Sequence, residues 1–267
     1  MIRMAVRLML VLMGAMLVLP SVWAADDYKL GPGDIIKITV FDYPDLATEE
    51  RVSESGSISF PLLGKVSLGG LSTDEARNLI TSRLESEGFI KQAHVTLIIA
   101  QFVSRQVSVI GEVNKPGKYP LDKASTIVDL LSMAGGVAPT GGDKAILIRP
   151  AKEGGKETKT DIDLYALFQG TDSKHIEVQN GDIVFVPRAQ VFYVYGEVQR
   201  PGMIRLERNM TVLHAISSAG GLTSKGTENG VKLKRRDAHG AMQTIEDVDV
   251  EEQVKPDDIL YVRESWF

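Results

Sequence analysis

VIGEVNKPGKYPLDKASTIVDLLSMAGGV, residues Val109 to Val137, and VYGEVQRPGMIRLERNMTVLHAISSAGGL, residues Val194 to Leu222, are one block written twice. The register is gap-free. Gly111 matches Gly196, Pro116 matches Pro201, Thr126 matches Thr211 and Gly135 matches Gly220, each 85 positions on. A strict repeat of this kind means two copies of one supersecondary unit. Each copy predicts a strand (Gln106–Glu112, Gln190–Glu197), a turn at Lys115-Pro116-Gly117 or Arg200-Pro201-Gly202, and a short second strand ending at Leu121 or Leu206. Proline followed by glycine is the type II turn signature, which expects φ > 0 at Gly117 and Gly202. Short helices follow at Ile127–Met133 and Val212–Ser218, capped by Thr126 and Thr211. Gly135-Gly136 and Gly220-Gly221 then end them, where a left-handed residue is needed.

Further strands are expected at Ala145–Arg149, Gly230–Arg235 and Ile259–Val262. Lys152–Thr160, polar and glycine-rich, reads as a hairpin tip, and Ser224–Gly230 holds the equivalent place in the second copy. The basic run Lys232-Leu233-Lys234-Arg235-Arg236 reads as the exposed end of a strand. Gly33-Asp34-Ile35-Ile36, Gly181-Asp182-Ile183-Val184 and Asp257-Asp258-Ile259-Leu260 each join a turn to an apolar strand. Each aspartate is suited to bond the backbone of its own turn.

Before the repeats lies a different pattern. Ile36, Ile38 and Val40 alternate with Lys37 and Thr39, as in a half-buried strand. Gly56 suggests a hairpin between Arg51–Ser53 and Ser57–Phe60, and Pro61-Leu62-Leu63-Gly64 a turn into Lys65–Leu68. Ser72-Thr73-Asp74-Glu75 is a capping box, followed by Ala76, Leu79, Ile80 and Leu84 at helical spacing, with Gly88 as the stop. A last strand begins at Val95, Leu97 and Ile99. The expected division is therefore 1–24, 25–104, 105–189 and 190–267, all of it α+β.

The first 24 residues read as a secretory leader. Arg3 and Arg7 precede an apolar run, Leu8 to Val18, and Val22-Trp23-Ala24 sets cleavage between Ala24 and Ala25. The remainder holds 28 of the 30 basic residues against 35 acidic ones, a formal charge of −7. That balance offers no footprint for nucleic acid. The chain has no cysteine, which removes disulfides, thiolate chemistry and an acylated N-terminal cysteine.

Catalytic constellations are absent. His94, His175, His214 and His239 show no metal spacing, and there is no nucleophile elbow, P-loop or dinucleotide fingerprint. His214 stands where the first copy has Asp129, which suits a solvated position. Glu112 and Glu197 sit in matching Gly-Glu-Val segments of separate domains. A catalytic pair converges on one cleft, so these acids read as turn support or as subunit contacts. Asp161/Asp163 and Asp247/Asp249 alternate as a solvated strand face does, with too few oxygens for calcium. No cofactor is expected.

Three runs carry a resemblance: Tyr28-Lys29-Leu30-Gly31-Pro32-Gly33-Asp34, Pro61-Leu62-Leu63-Gly64-Lys65-Val66 and Gly70-Leu71-Ser72-Thr73-Asp74-Glu75-Ala76. They resemble the polysaccharide-export domain of the Wza-like outer-membrane polysaccharide exporters. The two Gly-Glu-Val-x-x-Pro-Gly units resemble the SLBB domains, β-grasp-like modules, that follow it. The resemblance implies a homo-oligomeric ring in the periplasm of a Gram-negative bacterium, associated with the outer membrane. It implies polysaccharide as the transported substrate and an inner-membrane co-polymerase or chain-length regulator as partner. Gly111, Glu112, Pro116, Gly117, Gly196, Glu197, Pro201 and Gly202 are then candidates for turns and subunit contacts.

Two departures from the family pattern shape the expectation. The acylated cysteine is missing, and only five residues follow Val262. As a helix they reach about 7.5 Å, against a hydrocarbon core of about 30 Å. The reading is a short form that passes polymer to a separate outer-membrane β-barrel, with Trp266-Phe267 as docking candidates. The alternatives are a monomeric periplasmic sugar-binding or sensing protein, and an envelope glycosidase or lyase.

Overall fold

A computed structural model describes residues 28–151, 155–169 and 176–265. The expected leader with its Ala24/Ala25 junction, His175 and the Trp266-Phe267 pair lie outside the described residues, as do the first three residues of the Lys152–Thr160 segment. The chain divides into two units. One is formed by the chain up to Arg105 with Leu121–Ala124, the other by Gln106–Pro120 and Ser125 onward.

The first unit runs β1 (Ile35–Val40), β2 (Tyr43–Arg51), β3 (Ser57–Phe60), β4 (Gly64–Ser67), α1 (Thr73–Ser86) and β5 (Val95–Gln101). Its main sheet has the order β2-β1-β5, with both neighbours antiparallel to β1. Ile36, Ile38 and Val40 turn one face of β1 into a core shared with Phe60, Leu68, Ile80 and Leu84. The helix starts where its capping box places it: Glu75 N–H donates to the Ser72 hydroxyl at 3.2 Å, and Ser72 N–H donates to the Glu75 carboxylate at 2.7 Å. It stops at Gly88, whose φ of 79° lets Phe89 N–H return to the Leu84 carbonyl at 3.1 Å. The hairpin expected around Gly56 is not formed. The chain does turn there, with Ser53 N–H donating to Ser57 O at 2.9 Å. The paired strands, however, are β3 and β4, joined through Pro61–Leu63, while β2 belongs to the other sheet.

The second unit contains the repeat. Its first copy runs β6 (Gln106–Gly111), β7 (Gly117–Pro120), α2 (Ile127–Met133), β8 (Lys144–Arg149), β9 (Thr158–Asp163), α3 (Leu164–Phe168) and β10 (Ile183–Val186). Its second copy runs β11 (Val191–Gly196), β12 (Gly202–Arg205), α4 (Val212–Ser218), β13 (Lys232–Arg236), β14 (Met242–Ile245) and β15 (Ile259–Val262). The sheets are alike, β7-β6-β10-β8-β9 and β12-β11-β15-β13-β14. In each, the first and last strands lie side by side and parallel, and the remaining pairs are antiparallel. In the second copy Val212, Ala215, Ile216 and Ala219 of α4 pack into a core with Phe192, Val194, Leu233 and Leu260 of the sheet. This is an α+β architecture with a helix held in the grip of a mixed sheet.

Four expectations are corrected. The Pro-Gly segments are not type II turns: Gly117 has no positive φ, and Gly202 lies at 152°, far from the value near 80° such a turn needs. The physical reason is the register. Pairing ends at Val109–Gly117 and at Val194–Gly202, so seven residues join the strands and no four-residue reversal is required. The basic run Lys232–Arg236 is not a protruding strand end but β13, an inner strand between β15 and β14. Asp163 is not merely solvated. It caps α3, accepting from Ala166 N–H at 3.1 Å. Asp247 and Asp249 lie beyond β14, and Asp247 has φ of 53°, so they do not share a strand face. The gap-free register also ends after the Gly-Gly corner. Ile148 opposes Ile183 where Lys234 opposes Ile259, so Arg149 matches Arg235, 86 positions on.

Candidate functional site

Each buried aspartate anchors its turn and something more. Asp34, Asp182 and Asp258 are completely buried. Each accepts from the backbone N–H three residues earlier: Gly31 at 2.9 Å, Gln179 at 2.8 Å and Lys255 at 2.7 Å. Asp34 also accepts from the N–H groups of Val103 and Ser104, both at 2.8 Å, and from the Tyr28 hydroxyl at 2.9 Å. These bonds join the start of the first unit to the segment just after its last strand. Burial by itself raises the Asp34 carboxyl, but the Ser104, Gly31 and Val103 N–H groups outweigh it and hold the group below its ordinary value. Burial, with the neighbouring Asp34 charge, pushes the Tyr28 phenol up to about 12. Gly31 and Gly33 are needed here because Ser104 and Val103 close over them, and Gly33 holds φ of 93°.

In the repeats a guanidinium completes the same aspartate site. Arg149 Nε and Nη2 donate to the two carboxylate oxygens of Asp182 at 2.9 and 2.8 Å. Arg235 donates to Asp258 from Nε at 2.9 Å and from Nη2 at 2.7 Å, and reaches Glu252 at 3.0 Å. These forked pairs neutralise carboxylates that burial would otherwise penalise. Pattern reading found the aspartates and missed the arginines, which lie 33 and 23 residues away.

The repeated Gly-Glu-Val and Ala-Gly-Gly motifs meet in space. Gly111 and Gly196, with φ of 89° and 93°, kink the chain after the first strand. A Cβ at either would strike the carbonyl oxygen of Val186 or Val262, so only glycine fits. After the kink, Asn114 and Lys115 N–H donate to Gly136 and Ala134 O at 3.1 and 2.9 Å. Gln199 and Arg200 N–H donate to Gly221 and Ala219 O at 3.0 and 2.8 Å. The glycine pairs themselves close each helix with both bonds of the Schellman motif. Gly136 N–H reaches Leu131 O at 2.8 Å and Gly135 N–H reaches Ser132 O at 3.0 Å, with Gly221–Ile216 and Gly220–Ser217 repeating them. Pro116 and Pro201 ride on exposed loops.

Glu112 and Glu197 stand half-buried at these junctions. Each carboxylate accepts from a threonine hydroxyl, Thr140 or Thr223 respectively. They belong to separate sheets and do not converge on one cleft. His214 occupies the third turn residue of α4 and receives Thr211 N–H on Nδ1 at 3.3 Å, the part Asp129 plays for Thr126 at 2.8 Å. Among the described residues no group of three metal-ligating side chains assembles, and no helix is long and apolar enough to cross a membrane.

A polar cleft of about 600 Å³ lies between the two copies. Arg205 spans it, donating to Asp143 at 2.7 Å and to Pro139 O at 3.0 Å. Arg208 donates to Asp163 at 2.8 Å and lies 5.0 Å from the Tyr165 ring centre. Hydrogen bonding from Arg208, helped by Ala166 N–H, holds Asp163 down to about 2. Such a cleft is lined by charged side chains, and both of its aspartates are tied to arginines.

Comparison with known proteins fits this architecture. The family model for the polysaccharide biosynthesis/export protein matches residues 23–100, and SLBB domain models match 105–186 and 191–246. The EPS I polysaccharide export outer membrane protein EpsA of Ralstonia nicotianae is 31% identical over 283 residues, covering 91% of this chain and 72% of that protein. The polysialic acid transport protein KpsD of Escherichia coli is 27% identical over 173 residues, 64% of this chain and 30% of that one. The exopolysaccharide production protein ExoF of Rhizobium meliloti is 28% identical over 128 residues, 44% and 30% respectively. The chain thus belongs to the Wza-like family of polysaccharide export proteins, with one export domain followed by two SLBB domains.

Proposed function

We propose that this protein is a periplasmic, outer-membrane-associated component of a capsular or exopolysaccharide export conduit. It assembles as a homo-oligomeric ring, receives polymer from an inner-membrane co-polymerase or chain-length regulator, and passes it to a separate outer-membrane β-barrel. The observation that carries this reading is the order of domains, matched over nine-tenths of the chain by a relative named as an outer membrane export protein. The two aspartates that line the inter-repeat cleft, Asp143 and Asp163, are each tied to an arginine, which favours a carrier over a glycosidase. In this reading the Glu112 and Glu197 junctions, half-buried beside exposed loops, are candidates for contact with a neighbouring subunit.

The test is a deletion strain in which polysaccharide is measured in medium and in cells, with a plasmid copy as control. Loss of extracellular polymer, restored by the plasmid, is the expected result. Normal secretion would overturn the reading. Mass photometry of the purified protein then reads the ring directly, since a protein that stays monomeric at all concentrations has no ring to form.

A further inference from the structure

The two repeats share a scaffold but differ on the outer faces of their sheets. Strand alternation sends Val107 and Val109 of β6 inward and Ser108 and Ile110 outward. The matching outward positions on β11 are Tyr193 and Tyr195. On the last strand Phe185 is matched by Tyr261, each opposite its repeat's first strand at the same register. On the third strand of the ladder Ile146 and Ile148 are matched by Lys232 and Lys234, fixed by the pairs Phe185–Ile146, Ile183–Ile148, Tyr261–Lys232 and Ile259–Lys234. Five outward positions therefore read Ser, Ile, Phe, Ile, Ile in the first copy and Tyr, Tyr, Tyr, Lys, Lys in the second.

That exchange sets three of the chain's seven tyrosines on one open surface. Tyr193 is 40% exposed and Tyr195 38%. Tyr195 and Tyr261 lie with ring centres 4.9 Å apart and planes tilted by 41°, forming a bent ledge. The ledge opens into a cleft of about 460 Å³ lined by Tyr261, Lys232 and Arg263 with Glu264 and Ser265. Lys232 and Arg263 are both tied to Glu246, the lysine at 3.0 Å, and Arg263 also reaches Asp247 at 3.3 Å, whereas among the described residues Lys234 makes no ion pair. Flat rings with polar edges, beside the ammonium group of Lys234, match a ligand with apolar C–H faces, a polar rim and negative charge. A protein partner would be better served by the isoleucine and phenylalanine surface of the first copy.

We propose that the outer sheet face of the second SLBB domain is a binding ledge for an acidic oligosaccharide segment. Pyranose rings lie on Tyr193, Tyr195 and Tyr261, and a sugar carboxylate meets Lys234. This deepens the export reading and rests on it, since it makes the ledge a point where passing polymer touches the protein.

The experiment is titration of the full-length mature protein with hexagalacturonate and, for contrast, neutral cellohexaose, followed by NMR shift changes and calorimetry. The acidic hexamer is expected to bind at least tenfold more tightly than the neutral one, with added salt weakening it. Tyr195→Ala or Tyr261→Ala should each weaken it roughly threefold to tenfold, while Tyr195→Phe keeps it. Lys234→Gln should lower affinity for the acidic hexamer alone. Ile110→Ala, at the matching place in the first copy, should change nothing, and melting curves of all variants should overlay the parent's. No binding, equal binding of the neutral hexamer, or indifference to the tyrosine variants overturns the ledge. If the deletion strain loses export while no binding is seen, only the ledge fails. If it secretes normally while binding is seen, only the export role fails.

Discussion

Removing Arg235 leaves Asp258 fully buried without its counter-charge, and Arg235→Ala is expected to destabilise by about 3 kcal/mol. Arg149→Ala should cost less, about 1–2 kcal/mol, because the Arg149 side chain is 34% exposed against 16% for Arg235 and water screens its pair. Urea melts of the two variants check the order. Asp34 gives a pH signature. Its folded carboxyl lies below its unfolded value near 3.9, so the stability it supplies is complete above about pH 4 and is lost as pH falls through the folded value. Asp34→Asn should flatten the acid limb of a thermal-stability profile, and an unchanged limb would show that other carboxylates govern it. At this scale the sequence was half legible. A turn aspartate announces itself by its neighbours, but its arginine arrives from a strand far along the chain. Likewise Glu112 and Glu197 could be singled out by repetition, while their threonine partners could not. Thr140 and Thr223 occupy different offsets in the two copies, 28 and 26 residues on.

Helices were the most readable elements, because their ends are written in local chemistry. Thr126 and Thr211 each cap a seven-residue helix. Thr126→Ala or Thr211→Ala should each cost about 1 kcal/mol. The second box is the weaker, since the imidazole of His214 replaces the Asp129 carboxylate near a helix N-terminus. His214→Asp should therefore stabilise by about 0.5 kcal/mol at neutral pH, a gain readable as a small rise in Tm. Strands were less readable where burial does not alternate along the sequence. Tyr43–Arg51 is YPDLATEER, with Leu46 as its one buried side chain. It is held by backbone bonds to β1, and its charged residues protect a sheet edge from further pairing. The Pro-Gly segments misled in the opposite way. They carry a turn's residues, but the glycine that bends the chain is Gly111 or Gly196, five positions before the proline. Gly196→Ala should cost roughly 2 kcal/mol or more, as a side chain there meets both a positive φ and a carbonyl oxygen.

Across the second unit, Arg205 and Arg208 tie one repeat to the other through Asp143, Asp163 and the Tyr165 ring. Exposed pairs contribute little stability singly, so an Arg205→Ala, Arg208→Ala double variant should melt within a few degrees of the parent. It should nonetheless show a broader distribution of repeat orientations in small-angle scattering. An unchanged profile would mean that other contacts set the angle between copies. The strand pairing has a mechanical consequence. In each repeat the entering strand and the leaving strand are neighbours and run the same way, so tension applied along the chain pulls them past each other lengthwise. All the rungs between them are then loaded at once, instead of one after another as in a hairpin peeled from its open end. With residues 187–190 as the short tether between copies, the tandem is a chain of shear clasps. Single-molecule pulling should record two high-force ruptures, one for each copy.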